Sequence, residues 1–133
     1  MDDTLFLERD FVQSGFYAVD KYVQIKFHVK GFYSNAWKRF SQGQRSKIFD
    51  KVLVDLNFDD TNLKLVEELV RIYRFHKPSI ELLDDAKWAL DFLKNDYPLA
   101  LLSDGYLHTQ KNKANALNLN KYFDRIYLTD FWG

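Results

Sequence analysis

Two short stretches carry the residues whose types and spacing could do chemistry. Near the start, Asp2, Asp3 and Thr4 set two carboxylates beside a hydroxyl, like a carboxylate-rich loop leaving a strand, although no strand precedes them. A hundred positions later, Leu99-Ala100-Leu101-Leu102 reads as a buried strand that delivers Ser103, Asp104 and Gly105 at its carboxyl end. Open α/β sheets bind their ligands at that end, which makes the hydroxyl, the carboxylate and the glycine candidates for ligand contact. Without wider context, Asp2 and Asp3 read as a solvated N-terminus and Ser103 as a helix cap or turn serine. His76, beside Lys77-Pro78, reads as a helix-end histidine favoured by the helix dipole. His28 and His108 have no carboxylate or cysteine at ligand spacing, so zinc is not indicated. Lys111 and Lys113 read most simply as the solvated face of a helix.

Composition narrows the class. At 133 residues with 47% apolar side chains the chain has the size of one domain and can fill a core, much of it aromatic given 12 Phe, 8 Tyr and 3 Trp. Lys plus Arg and Asp plus Glu both number 19, so no net field points to nucleic acid or a membrane surface. With 0 Cys, disulfides and thiolate chemistry are excluded, which fits a cytoplasmic location. The acidic start is unlike a secretory signal, and the apolar runs are too short to span a bilayer.

The elements that must position these residues follow from periodicity. Phe11, Val12, Gly15, Phe16, Val19, Tyr22 and Val23 fall on one helical stripe, with Asp10 placed to cap it. The alternation from Val23 to Val29 is read as a fraying helix end and loop closed by Gly31. Phe32, Ala36, Trp37 and Phe40 predict a second helix, and Ile48, Phe49, Val52, Leu53 and Leu56 a third, separated by Gln42-Gly43-Gln44. Asp59 and Asp60 stand where a cap belongs before the helical pattern Leu63, Val66, Leu69, Val70 and Tyr73. Ala86, Trp88, Ala89, Phe92 and Leu93 predict a helix opened by Asp84 or Asp85. After the Ser103 strand come a polar helix over about 109–117 and a second strand at Ile126-Tyr127-Leu128. Helix, strand, helix, strand is an α/β crossover with parallel strands.

In order and spacing these motifs resemble the haloacid-dehalogenase (HAD) superfamily of phosphohydrolases. The residues that carry the likeness are Asp2-Asp3-Thr4-Leu5, Glu8-Arg9, Phe11-Val12-x-Ser14-Gly15-Phe16, Tyr73-Arg74-x-His76-x-Pro78, Leu101-Leu102-Ser103-Asp104-Gly105, Gln110-Lys111-Asn112-Lys113, Tyr122-Phe123-Asp124 and Tyr127-x-Thr129-Asp130. The resemblance implies an α/β fold, a HAD-like Rossmannoid parallel sheet that is partial because its first strand is missing, with an inserted all-helical cap. It implies a core of residues 1–10 and 79–133 and a cap of residues 11–78.

The implied chemistry is phosphomonoester hydrolysis on a small phosphorylated metabolite through an aspartyl-phosphate, assisted by Mg2+. In that scheme Asp2 is the general acid/base and lends its backbone carbonyl to the metal, while Thr4, Ser103 and the amides of Asp104 and Gly105 hold phosphate. Tyr17, Arg45, Arg74 and His76 are the substrate or cap candidates. The nucleophilic aspartate of the Asp-x-Asp-x-Thr motif would fall one position before Met1, and the third and fourth motifs beyond Gly133. The 133 residues therefore read as a fragment without turnover, with Lys111 or Lys113 a weak substitute for the third motif's lysine. A missing central strand would leave a sheet edge open to association. A non-catalytic HAD-like binding or scaffold protein, and a phosphotransferase or mutase on the same scaffold, are the alternative readings.

Overall fold

The computed structural model describes residues 1–58 and 63–130. In chain order the elements are α1 (Glu8–Phe27), α2 (Phe32–Ser41), α3 (Ile48–Asp55), α4 (Leu63–Phe75), α5 (Asp84–Leu93), β1 (Ala100–Asp104), α6 (Leu107–Ala116), a 3₁₀ turn (Leu119–Lys121) and β2 (Arg125–Thr129). They group into two compact units, one of Met1–Val12 with Phe75–Gly133 and one of Gln13–Arg74. No helix among the described residues is long and apolar enough to cross a membrane.

The helical unit forms where the sequence stripes point. Phe16, Val19 and Val23 of α1, Phe32 and Ala36 of α2, Phe49, Val52 and Leu53 of α3, and Leu65 and Leu69 of α4 are buried together as its core. Phe16 meets Phe40 and Phe49 edge-on at 6.2 and 5.9 Å between ring centroids, a preferred aromatic geometry. α1 runs on through Phe27, and the turn is made by His28 at φ 55°. The expected cap by Asp59 and Asp60 lies outside the described residues.

Polar ties close the outside of this unit. The Tyr22 hydroxyl donates to Glu68, and Lys26 donates to that hydroxyl at 2.8 Å. The hydrogen bond from Tyr22, followed by the charge of Lys26, holds the Glu68 carboxyl below its ordinary 4.5. Asp55 is lowered from 3.8 by hydrogen bonds from Arg39 and then Asn35. A carboxyl depressed in the folded state adds stability above its unfolded value and loses it as pH falls through the folded value. The urea midpoint is therefore expected to drop as pH falls below about 4.5, and Tyr22→Phe, which lacks the donor to Glu68, should show a smaller acid-side loss.

The second unit is the α/β part. β1 and β2 pair in parallel, with Ala100 opposite Arg125, Leu102 opposite Tyr127 and Asp104 opposite Thr129. The strand starts are tied by Asp124, whose carboxylate accepts the Leu99 N–H while its own N–H donates to the Leu99 carbonyl, both at 2.8 Å. Phe6, Phe11, Ile80, Leu90, Leu117, Leu119 and Tyr122 are buried in its core.

The strand itself departs from the sequence reading, which made it buried throughout. Ser103 is buried and Leu101 half-buried, but Leu102 is 71% exposed and its cross-strand partner Tyr127 is exposed too. Alternate residues of a strand face opposite sides, and among the described residues only the Leu101–Ser103 side is covered. The described sheet has two strands, so each keeps one unpaired edge. α5 departs likewise. Trp88 and Phe92 are exposed and stack on each other at 5.6 Å, while Leu90 is the side chain that goes inside.

Candidate functional site

At the N-terminus the chain folds into a tight turn. The Leu5 N–H donates to the Met1 carbonyl at 3.1 Å, Asp3 adopts φ 57°, and Asp2 bridges to Phe6. The Asp3 carboxylate accepts the Glu8 N–H at 2.8 Å and so satisfies one of the donors that the first turn of α1 leaves open. The capping expected of Asp10 thus falls to Asp3, and α1 begins at Glu8 because of it. Thr4 is exposed at the tip of the turn. Anchoring comes from Phe6, fully buried, and from the Leu5 carbonyl, which accepts the Leu83 N–H at 2.8 Å.

Asp2 is turned toward α6. Its Oδ1 accepts a hydrogen bond from Lys113 Nζ at 2.9 Å, an ion pair in which the lysine side chain is 6% exposed and the aspartate 45%. The Lys113 ammonium also lies 4.3 Å from the Phe11 ring centroid and 5.5 Å from that of Phe6, within cation–π range. Lys113 is therefore no solvated helix residue, which corrects the sequence reading. It is buried between two rings with a carboxylate at its tip. His76 packs against the other side of this cluster, its ring centroid 4.9 Å from that of Phe11, and its carbonyl accepts the Asn112 side-chain amide at 3.2 Å.

At the carboxyl end of β1, Ser103 donates its hydroxyl to Gln110 Oε1 at 3.2 Å, and Gln110 Nε2 donates to the Asp104 carbonyl at 3.0 Å. Gln110 lies directly on Gly105, where an added Cβ would come within 2.3 Å of Nε2 and where φ is +145°. The Gly105 N–H donates to the Thr129 carbonyl at 3.0 Å, so this amide is engaged by β2 rather than open to an anion. The Thr129 hydroxyl donates to the exposed Asp104 carboxylate, and the Asp130 carboxylate accepts the Leu107 N–H at 3.2 Å, capping α6. Buried Ser103 and exposed Asp104 thus sit on opposite sides of one strand end.

Gln110 and Lys113 are three residues apart on α6 and share a face. One holds Ser103 and the other holds Asp2, so a single helical turn draws together the two stretches that lie about a hundred positions apart in sequence. The reading from sequence gave neither residue this part. Its signal was the stripe Gln110, Lys113, Ala114, Leu117: a lysine at core spacing in an otherwise polar helix, with Ala114 and Leu117 buried beside it.

The other expected site residues, Tyr17, Arg45 and Arg74, belong to the helical unit. Tyr17 stacks on Tyr33 in the helical unit. Arg45 lies over the Phe40 ring at 3.8 Å and donates to the Phe40 carbonyl at 2.8 Å, closing the end of α2. Arg74 is half-buried near the end of α4. For a divalent cation, the described residues contain no group of three His, Cys, Asp or Glu side chains that could hold one. Magnesium needs six oxygens in an octahedron, and the Asp2 carbonyl with one lysine-paired carboxylate does not by itself make that site.

No family model and no curated protein matches the sequence. Solved structures do match, and they define the class: the chain has the α/β fold of haloacid-dehalogenase-like hydrolases, with a small parallel sheet and a helical insertion. It is similar to a haloacid dehalogenase-like family hydrolase from Xanthomonas campestris, with TM-score 0.50 and 17% identity over 96% of this chain and 58% of that one. A protein described as a HAD-hydrolase from Bacillus subtilis, whose structure contains magnesium, matches with TM-score 0.56 and 17% identity over 96% of this chain and 60% of that one. A protein assigned as a beta-phosphoglucomutase from Thermotoga maritima matches with TM-score 0.57 and 19% identity over 96% of this chain and 58% of that one. The chain thus spans about three fifths of the length of each.

Proposed function

We propose that these residues belong to a HAD-type phosphomonoester hydrolase acting on a small phosphorylated metabolite in the cytoplasm. The observation that carries the reading is the convergence of Asp2 and Ser103 on one face of α6 through Lys113 and Gln110. Lys113 fixes Asp2 Oδ1, and Oδ2 accepts no hydrogen bond among the described residues, which leaves that oxygen to give a proton to a leaving group and take one from water. The Ser103 hydroxyl, now donating to Gln110, is the group that would turn to a phosphoryl oxygen. Thr4 and the strand-end backbone at Asp104 and Gly105 complete the expected phosphate contacts, with the Gly105 amide contributing only after leaving Thr129. Magnesium, when bound in the complete site, would neutralise phosphoryl charge; the Asp2 carbonyl is the ligand these residues offer it.

An aspartate two positions before Asp2 would supply the nucleophile, and none lies within these 133 residues. The 133-residue chain is therefore expected to hydrolyse p-nitrophenyl phosphate with magnesium only at background. It should still bind inorganic phosphate, detected by amide shifts at Ser103, and Ser103→Ala should weaken that binding roughly ten- to a hundredfold, the worth of one hydrogen bond to a charged group. Turnover that disappears in Asp2→Ala would require another nucleophile. Phosphate binding indifferent to Ser103→Ala would remove the site.

A further inference from the structure

Gln110 touches the carboxyl end of β1 with both ends of its side-chain amide, and the chemistry of its neighbours fixes which end faces which. The Asp104 carbonyl, 3.0 Å away, only accepts hydrogen bonds, so Nε2 must be on that side. Oε1 then faces Ser103 at 3.2 Å, and since an amide oxygen also only accepts, the hydroxyl has to donate to it. A serine hydroxyl carries one proton. That proton is engaged inside the protein.

The rest of the strand end is closed in the same sense. The Gly105 N–H donates to the Thr129 carbonyl at 3.0 Å. The Gln110 amide lies against Gly105, where an added Cβ would come within 2.3 Å of Nε2, 3.2 Å of Cδ and 3.3 Å of Cγ. Ser103 and Gln110 are both buried, so water does not compete freely for the bond between them. In the empty site the amide oxygen satisfies a buried hydroxyl that needs a partner. A phosphoryl oxygen is a stronger acceptor, because hydrogen bonds to an ionised oxygen are roughly twice as strong as neutral ones.

We propose that Gln110 is a positioning residue that latches Ser103, keeping its hydroxyl from anions until a phosphoryl oxygen takes the hydrogen bond over from Oε1. The proposal rests on the phosphohydrolase reading and adds a control to its site. Opening is a rotation about the Ser103 Cβ–Oγ bond and transfers no proton. Nε2 stays on the Asp104 carbonyl, so the strand end keeps its support while the hydroxyl turns. A site that must first release an internal hydrogen bond binds more weakly by the fraction of molecules already open. One neutral hydrogen bond makes that a factor of roughly two to ten.

The test titrates the whole 133-residue chain with inorganic phosphate, followed in NMR by the Ser103 amide and by the carbon signal of the Gln110 side-chain carbonyl. Saturation should move the Gln110 carbonyl upfield, as loss of a donor does, while its side-chain N–H protons stay slow to exchange. Gln110→Met, similar in size and without the amide oxygen, should bind phosphate roughly two- to tenfold more tightly. In a Ser103→Ala background the same substitution should change nothing. A Gln110 that only supports the strand end would give the opposite result, weaker phosphate binding in Gln110→Met and a still carbonyl signal in the parent. Either observation, with Ser103 still responding to phosphate, would overturn the latch and leave the phosphate site standing. If Gln110→Met does not fold, the carbonyl signal of the parent decides alone. No response of Ser103 in the parent or in Gln110→Met would remove the phosphate site itself.

Discussion

Replacing Gly105 with alanine is expected to destabilise the chain by about 3–5 kcal/mol and to loosen Ser103 in the same stroke. Two costs combine. At φ +145° the backbone is in a region that residues with a Cβ rarely occupy, and the new methyl would lie 2.3 Å from Gln110 Nε2. The clashing atom is the end of a flexible side chain, which could normally swing aside cheaply. Here it cannot, because Gln110 is buried and uses both ends of its amide, one for the Ser103 hydroxyl and one for the Asp104 carbonyl. Moving it gives up two hydrogen bonds of about 1 kcal/mol each, on top of about 1–3 kcal/mol of backbone strain.

A double-mutant cycle separates the two. In a Gln110→Ala background the steric part of Gly105→Ala should vanish and only the strain should remain. If Gly105→Ala costs the same in both backgrounds, Gln110 is not what the glycine makes room for. The measurement is the shift of the urea midpoint at constant slope.

How much of this could be read beforehand depends on what each residue signals locally. The stripes of α1, α2, α3 and α4 were legible because helical periodicity reports burial directly, and both strands were found to within two residues. The fold class followed from the order of motifs, and the matching solved structures share it. What failed to show were tertiary choices. β1 reads as four apolar residues whether one face is covered or two, so Leu102 gave no warning of its 71% exposure. Asp10 has the right type and position for a cap, but the turn at Asp3 starts the helix two residues earlier and brings a different carboxylate to it. In α5 the aromatic residues were the obvious core, and Leu90 took the inside because Trp88 and Phe92 stack on the outer face.

Lys113 is the sharpest instance, since a lysine scores as solvent-facing in any composition-based reading. Its position on the stripe with Ala114 and Leu117 was the contrary sign. The structure resolves the conflict by giving the ammonium a carboxylate and two ring faces.

That arrangement yields a ranked series of expected stabilities. Lys113→Glu should be the worst, about 3–5 kcal/mol, because it buries a carboxylate facing Asp2 with no counter-charge. Lys113→Ala should cost about 2–3 kcal/mol by emptying the space of a side chain that is 6% exposed. Asp2→Asn leaves the lysine charged and without its carboxylate; with Asp2 45% exposed, water replaces part of the lost partner, so the cost should be nearer 1–2 kcal/mol, below the range of about 3–5 for a fully buried pair.

Lys113→Met should be the mildest, within about 1 kcal/mol of the parent. Methionine fills the buried space with an unbranched side chain and removes the charge that had to be desolvated, which offsets the lost ion pair and ring contacts of the ammonium. The comparison of Met with Ala decides what the residue is for. If both cost the same, the ammonium is what holds the cluster together. If Met is tolerated while Ala is not, the stem supplies the stability, and the charge is retained to orient the Asp2 carboxylate. The second outcome is the one expected, and it would place Lys113 beside the chemistry as a positioning residue.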